Sequence, residues 1–157
     1  MKPEYYQKIW AKVLAANEET KYEFTISGKY IRFVLIVWGV ISAFLLLAMG
    51  LGIITFLIAY FYYNFYLRRA NIYAFTNKRV LIHKGWLSTS LKSIDYDKIT
   101  DLSVDQGFFE RTFYKTGSIT INTAGTGLPE VILRHIDQPY EIKKQLEKIK
   151  VNSKNRR

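Results

Sequence analysis

The side chains able to do chemistry are few in this chain, and they are scattered. Cysteine is absent from the 157 residues, which removes disulfides, thiolate metal ligands and thiol nucleophiles. The two histidines, His83 and His135, each fall inside an alternating, β-branched segment without a second ligand at metal-site spacing. Each is therefore expected to be structural rather than a ligand. Asp95, Asp97, Asp101 and Asp105 form a spaced acidic series, but it lacks the compact spacing and turn glycine of a calcium loop. Two-residue steps along a strand would place Asp95 and Asp97 together on a solvated face. Ser88, Thr89, Ser90 and Ser93 offer hydroxyls with no adjacent base and no nucleophile elbow. Gly125-Thr126-Gly127 has the glycines of a phosphate loop without its helix or its lysine, and a hairpin turn accounts for it. No catalytic residue, cofactor or metal is expected, and the chain does not read as an enzyme.

Charge and aromatic surface remain. The formal net charge of +10 divides unevenly: residues 1 to 32 carry six Lys/Arg against four Asp/Glu, and residues 68 to 157 carry seventeen against nine. Lys29, Arg32, Arg68 and Arg69 flank a long uncharged run, and Lys78 and Arg79 sit in a turn. These six are the candidate contacts for anionic phospholipid headgroups, by diffuse attraction rather than by a specific pocket. Nucleic acid is not expected as a partner, because no recognition motif accompanies the charge. In QGFFERTFY (106 to 114), Phe108, Phe109, Phe113 and Tyr114 crowd around Glu110 and Arg111. They either fill the mouth of a domain or, if exposed, form a contact patch for a protein partner or for a membrane surface. An open strand edge could likewise accept a partner strand.

The uncharged run, Phe33 to Leu67, is 35 residues long. As one helix it would extend about 52 Å at about 1.5 Å per residue, against a hydrocarbon layer of about 30 Å. Breaking it at Met49-Gly50-Leu51-Gly52 gives two spans of 17 residues, at the short end of what crosses a bilayer. The flanking cations favour this hairpin, because both clusters then stay in the cytoplasm. The aromatic cluster over residues 60 to 66 resembles an interfacial belt and keeps a single tilted span as the alternative.

Before the run, residues 3 to 16 place Tyr6, Ile9, Trp10, Val13 and Leu14 on one helical stripe. This amphipathic helix lies on the membrane surface or packs against the chain's own domain. Tyr22 to Ile26 alternates as a short strand able to add an edge to a later sheet. After the run come six strand candidates, at 71–76, 79–84, 86–95, 98–106, 117–124 and 130–136, separated by turn signals. A seventh comes from Phe108 to Tyr114 or from the segment before the run. Ile142, Leu146 and Ile149 then recur at helical spacing behind an Asp137 and Pro139 start signal, and NSKNRR is expected to be disordered. The organisation expected is an N-terminal segment (1–32), two transmembrane helices (33–67), a separately folding domain (68–150) and a basic tail (151–157).

The stretches YAFTNKRVLIHKGWL, IDYDKITDLSVDQGFFERTFYKTGSITINTAG and ILRHIDQPYEIKKQLEKI resemble the bacterial membrane-flanked PH-like domain family, the YdbS/YdbT-like group. Thr76-Asn77-Lys78-Arg79, Lys98-Ile99-Thr100-Asp101, Gly117-Ser118-Ile119 and Thr123-Ala124-Gly125 carry the likeness. The resemblance implies a membrane-anchored, mainly β protein, in which a transmembrane helical hairpin precedes a PH-like β-barrel capped by one C-terminal helix. It implies a setting at the cytoplasmic face of the bacterial plasma (inner) membrane and leaves the activity open. The absence of catalytic groups, the apolar anchor and this layout together point to a non-enzymatic interaction or scaffold module that binds protein partners or self-associates. A membrane-surface lipid sensor, or an accessory subunit of an envelope-defence or transport system, is the alternative. In lipid-binding PH domains the first hairpin carries a long basic loop. Here the first hairpin turn is expected at Asn77-Lys78, flanked only by Arg79, and it is too short and too sparsely charged to form a headgroup-specific pocket.

Overall fold

A computed structural model describes residues 3–85, 88–124 and 131–154. Among them, seven strands form two antiparallel sheets. The first sheet has the order β1 (Thr20–Thr25), β2 (Asn71–Thr76), β3 (Arg79–Lys84), β4 (Ser90–Asp95). The second has the order β5 (Ile99–Asp105), β6 (Thr116–Thr123), β7 (Val131–Asp137). The principal helices are α1 (Pro3–Trp10), α2 (Gly28–Met49), α3 (Gly52–Tyr60) and α4 (Pro139–Lys154). This is a PH-like arrangement of two antiparallel sheets and a C-terminal helix.

Two faces of the first sheet are buried, for different reasons. Strand side chains alternate, so Tyr73 and Phe75 of β2 and Val80 and Ile82 of β3 enter the core between the sheets. There they meet Ile119, Ile121, Leu133 and Ile136 of the second sheet and Ile142 and Leu146 of α4, with Ile149 packed alongside. Ile72, Ala74 and Leu81 face the other way, and α1 lies over them. Trp10 is 1% exposed there, and Tyr5, Tyr6, Ile9, Val13 and Leu14 pack around it. The amphipathic helix therefore turns its apolar stripe onto its own domain. It ends at Trp10, short of the expected residue 16, and the chain turns through a left-handed Asn17 (φ 59°) into β1.

The seventh strand is the one before the apolar run, because β1 pairs with β2 from Thr25↔Ile72 to Thr20↔Thr76. Residues from 68 onward consequently lack both an edge strand and the cover of one sheet face. The other candidate, Phe108 to Tyr114, is helical instead, with a π-helical turn at Glu110–Tyr114 closed by a left-handed Lys115. Asp95 and Asp97 do not share a strand face either, since a 3-10 turn at Tyr96–Lys98 separates β4 from β5 and buries Tyr96. The segment expected to form a strand from residue 86 does so only from Ser90, and Trp86 and Leu87 lie outside the described residues. The expected turn at Gly125-Thr126-Gly127 lies outside them too. α4 runs on to Lys154, so the expected disorder does not begin at Asn152.

The apolar run reverses direction, but not as two equal helices. α2 takes 22 residues, Gly50 adopts the left-handed conformation (φ 69°) that terminates it, and α3 returns for nine residues. The return continues as a π-helix, Phe61–Leu67, and one further turn, Arg68–Ala70. Gly52 permits the reversal, since a Cβ there would lie 1.9 Å from the Ser42 carbonyl oxygen. The Ser42 and Thr55 hydroxyls, 3.1 Å apart, link the two arms. Gly28–Ala48 is the one helix among the described residues long and apolar enough to cross a membrane.

Candidate functional site

Among the described residues, the two histidines stand apart from one another, in different sheets. His83, in β3, is buried, its Nδ1 has no hydrogen-bond partner, and burial lowers its pKa below the ordinary value. His135 sits in β7 with a left-handed backbone (φ 54°), and its ring stacks on Tyr30 at 3.9 Å and 5°. Its Nδ1 lies 2.9 Å from Glu110 Oε1. Among the described residues, no group of three or more His, Asp or Glu side chains could hold a metal ion. Ser90 and Ser93 stand exposed on the edge strand β4, without a base.

The six candidate cations separate into two groups at opposite ends of the first sheet. Lys78 and Arg79 belong to the β2–β3 turn, five residue pairs along the ladder from Asn71, where the helical hairpin joins the sheet. At that distal end Arg79 donates from Nε to Glu18 Oε1 at 3.0 Å and from Nη2 to Glu18 Oε2 at 2.9 Å. The Glu18 side chain is fully buried, and it also accepts from the Ala15 N–H at 2.9 Å and the Thr76 hydroxyl at 2.7 Å. Burial alone would raise the pKa of Glu18, but these bonds and the Arg79 charge outweigh it and hold the carboxyl below its ordinary value. Asn77 bonds to Asn17 and Glu19, and Lys78 Nζ donates to the Ala16 carbonyl at 3.0 Å. The Thr76-Asn77-Lys78-Arg79 turn is thus a clasp for the segment between α1 and β1. Sequence reasoning missed Glu18, whose only signal is its place in the acidic pair preceding β1.

Lys29, Arg32, Arg68 and Arg69 lie at the other end, where α2 leaves the sheet and the returning arm rejoins it. Ser27 caps α2 through its hydroxyl, and its N–H bonds to the His135 carbonyl at 2.7 Å. Lys29 Nζ reaches Asp137 at 3.0 Å. The Thr25 hydroxyl donates to the carbonyls of Arg68 and Asn71, tying the returning arm to β1. The Arg69 guanidinium lies 3.6 Å over the Phe65 ring. Arg32 stands exposed.

Beside this junction is a cavity of about 280 Å³, lined among others by Tyr30, Tyr62, Tyr63, Lys84, Arg134 and His135. Among the described residues no carboxylate pairs with Lys84 or Arg134. Burial, together with the charges of Lys92 and Arg134, lowers the pKa of Lys84. Sequence reasoning passed over both cations, because each reads as an ordinary polar position of a strand. Chemically, the pocket can accept an anion. The Asn77-Lys78 turn, for its part, is not the hairpin between the first two strands. That turn joins the second and third strands, whereas the connection between the first two is the helical hairpin itself.

The aromatic cluster divides. Tyr114 is buried, with its ring 4.3 Å from Phe33, while Phe108, Phe109 and Phe113 are 72%, 65% and 65% exposed.

A model of the bacterial PH domain matches residues 20–150. No curated protein matches the chain. Among solved structures, it is similar to a DUF1696 family protein with a pleckstrin-homology domain from Shewanella loihica PV-4, at 12% identity and a TM-score of 0.53. That likeness covers 96% of this chain and 98% of the other. A pleckstrin homology domain from Shewanella amazonensis SB2B is similar at 14% identity and a TM-score of 0.53, over 93% and 96% of the two chains. Likeness at such identities is one of fold.

Proposed function

The chain belongs to the bacterial PH domain family, and we propose that it is a non-enzymatic interaction module anchored in the bacterial plasma membrane by α2 and the returning arm. The observation that carries this reading is the outward apolar surface of the hairpin. Ile36, Val40, Phe44, Leu47, Ile53 and Ile58 are each 62% exposed or more, and nothing among the described residues covers them. Lipid is the environment that matches such a surface. The hairpin brings Lys29, Arg32, Arg68 and Arg69 to one end, so the positive-inside bias puts that end, the PH-like domain and both termini in the cytoplasm. The module then serves protein partners or further copies of itself from the membrane surface. The open edge of β4, exposed along most of its length, suits strand addition.

Reporter fusions at Met1 and Arg157 test the placement. Both are expected to report cytoplasm, and opposite compartments would remove the hairpin reading. A second reading is supported by the cavity at the hairpin base. Lys84 and Arg134, together with Arg32, offer charge to anionic phospholipid headgroups at the depth where the hairpin would bring them. Lys78 and Arg79 have no part in this reading, because they are distal and bonded within the clasp.

A further inference from the structure

Phe108, Phe109 and Phe113 stand exposed beside the point at which α2 becomes apolar. Their short helical turn is fixed there by two contacts. The Tyr114 ring packs against Phe33, the first residue of the uncharged run, and Glu110 reaches His135, whose ring lies on Tyr30. The turn is therefore held against the first turns of α2. Its rings also make one surface: Phe108 lies 5.6 Å from Phe109, Phe109 lies 6.1 Å from Phe113, and Phe113 lies 6.1 Å from Tyr114. Beneath it the buried Tyr114 ring packs on Phe33, one turn of α2 before the exposed Ile36 and Val37 of the hairpin.

We infer that Phe108, Phe109 and Phe113 insert into the interfacial zone of the bilayer beside the hairpin, as a second membrane contact of the domain, and do not dock a protein. The inference rests on the membrane reading of α2 and the returning arm. Given that reading, a patch level with Phe33 already lies within the headgroup layer, about 5 to 8 Å deep on each side of the hydrocarbon. Apolar rings at that depth leave water for acyl chains, and aromatic residues concentrate there. The surrounding charge fits the same occupant. Arg32, Arg111 and Lys115 are exposed around the patch, and Glu110 is bonded to His135. Two contacts, the hairpin and the patch, fix the tilt of the domain as well as its distance from the bilayer.

The absence of cysteine makes the test direct, since a single introduced cysteine carries the only nitroxide label. The full chain is reconstituted in phosphatidylethanolamine and phosphatidylglycerol vesicles with the label at Phe109→Cys or, separately, Phe113→Cys. Val40→Cys serves as the mid-hairpin reference and Lys148→Cys as the distal, solvent-exposed reference. Collision with oxygen reports lipid, and collision with a water-soluble nickel chelate reports solvent. The expected result is that both patch labels favour oxygen, to a degree between the two references. Patch labels as open to nickel as Lys148→Cys would overturn the inference while Val40→Cys keeps the hairpin in lipid. Patch labels shielded from both reagents would also overturn it, in favour of a protein or a second copy on the patch. A Val40→Cys label open to nickel would overturn the membrane reading itself, and the inference with it.

Discussion

The two ends of the first sheet carry similar cations and use them in opposite ways. At the distal turn Arg79 and Lys78 bond to the segment between α1 and β1, and the fully buried Glu18 neutralises the guanidinium. At the hairpin base Arg32 is exposed, and among the described residues no carboxylate pairs with Lys84 or Arg134. A cation becomes available to a partner only where the fold leaves its donors unspent. The distal cations hold the domain together, and at the hairpin base Lys29 is likewise bonded to Asp137, whereas Arg32, Lys84 and Arg134 have no carboxylate partner among the described residues. The same contrast separates the apolar stripes: α1 closes on a sheet face, while α2 and α3 present theirs outward.

The sharpest way to break this contrast is at Glu18. Glu18→Ala leaves the Arg79 guanidinium half-enclosed without its counter-charge and frees the strap between α1 and β1. Removing one partner of a buried, hydrogen-bonded pair costs about 3 to 5 kcal/mol. Thermal unfolding of the full chain in detergent should show a large fall in Tm, with α1 loosened first. Arg32→Gln, at the exposed end, should change stability by no more than about 0.5 kcal/mol. Equal effects of the two substitutions would mean that the distal turn is no clasp.

Much of the domain was legible in the sequence. β2 and β3 fall on the segments expected from alternation, and Ile142 and Leu146 of α4 are buried. Alternation and helical spacing are local signals, so they survive without a structure. The pairing of β1 with β2 is not local, because the whole hairpin intervenes, and the first turn visible by inspection was that of β2 and β3. Lys84, and with it the cavity it shares with Arg134, lies at the other end of the sheet from that turn. The Glu18–Arg79 bond spans 61 positions and has no sequence motif of its own. The π-helical segment Phe61–Leu67 is invisible to spacing, since a run of aromatic residues fits any helical period. The cavity at the hairpin base assembles from α2, the returning arm, β3 and β7, elements that no sequence window contains together.

A smaller effect is expected from the lipid side of the contrast. Arg32→Gln combined with Lys84→Gln should lower the preference of the reconstituted chain for spin-labelled phosphatidylglycerol over phosphatidylcholine. Each cation near the surface contributes about 1 kcal/mol, and less once partly screened. The preference should also fade with salt, because the Debye length contracts from about 10 Å at 0.1 M to about 3 Å at 1 M. Lys78→Gln should leave it unchanged. An equal loss from Lys78→Gln would show that the two ends do not differ in their access to lipid.

The smallest effect concerns pH, and it separates two buried groups, one in the first sheet and one in the segment leading into it. Burial lowers the pKa of His83 in the folded chain, so the unfolded chain takes up the proton first as pH falls through the ordinary value of 6.5. Stability present above that value is then lost progressively on the acid side. Glu18 behaves with the same sign at lower pH. Its folded pKa is depressed, so its contribution is complete above the ordinary value of 4.5 and is lost as pH falls through the folded value. Two acid windows should therefore appear in a series of melting curves, the His83 window first. His83→Leu should flatten the curve just below pH 6.5 and leave the lower window in place, because the substitution removes the titrating ring and keeps an apolar side chain beside Ile72 and Leu91 in the ladder. A wild-type Tm constant over the upper window would show that His83 reaches water despite its burial. A lower window that vanished with His83→Leu would show that the two sites are coupled through the sheet.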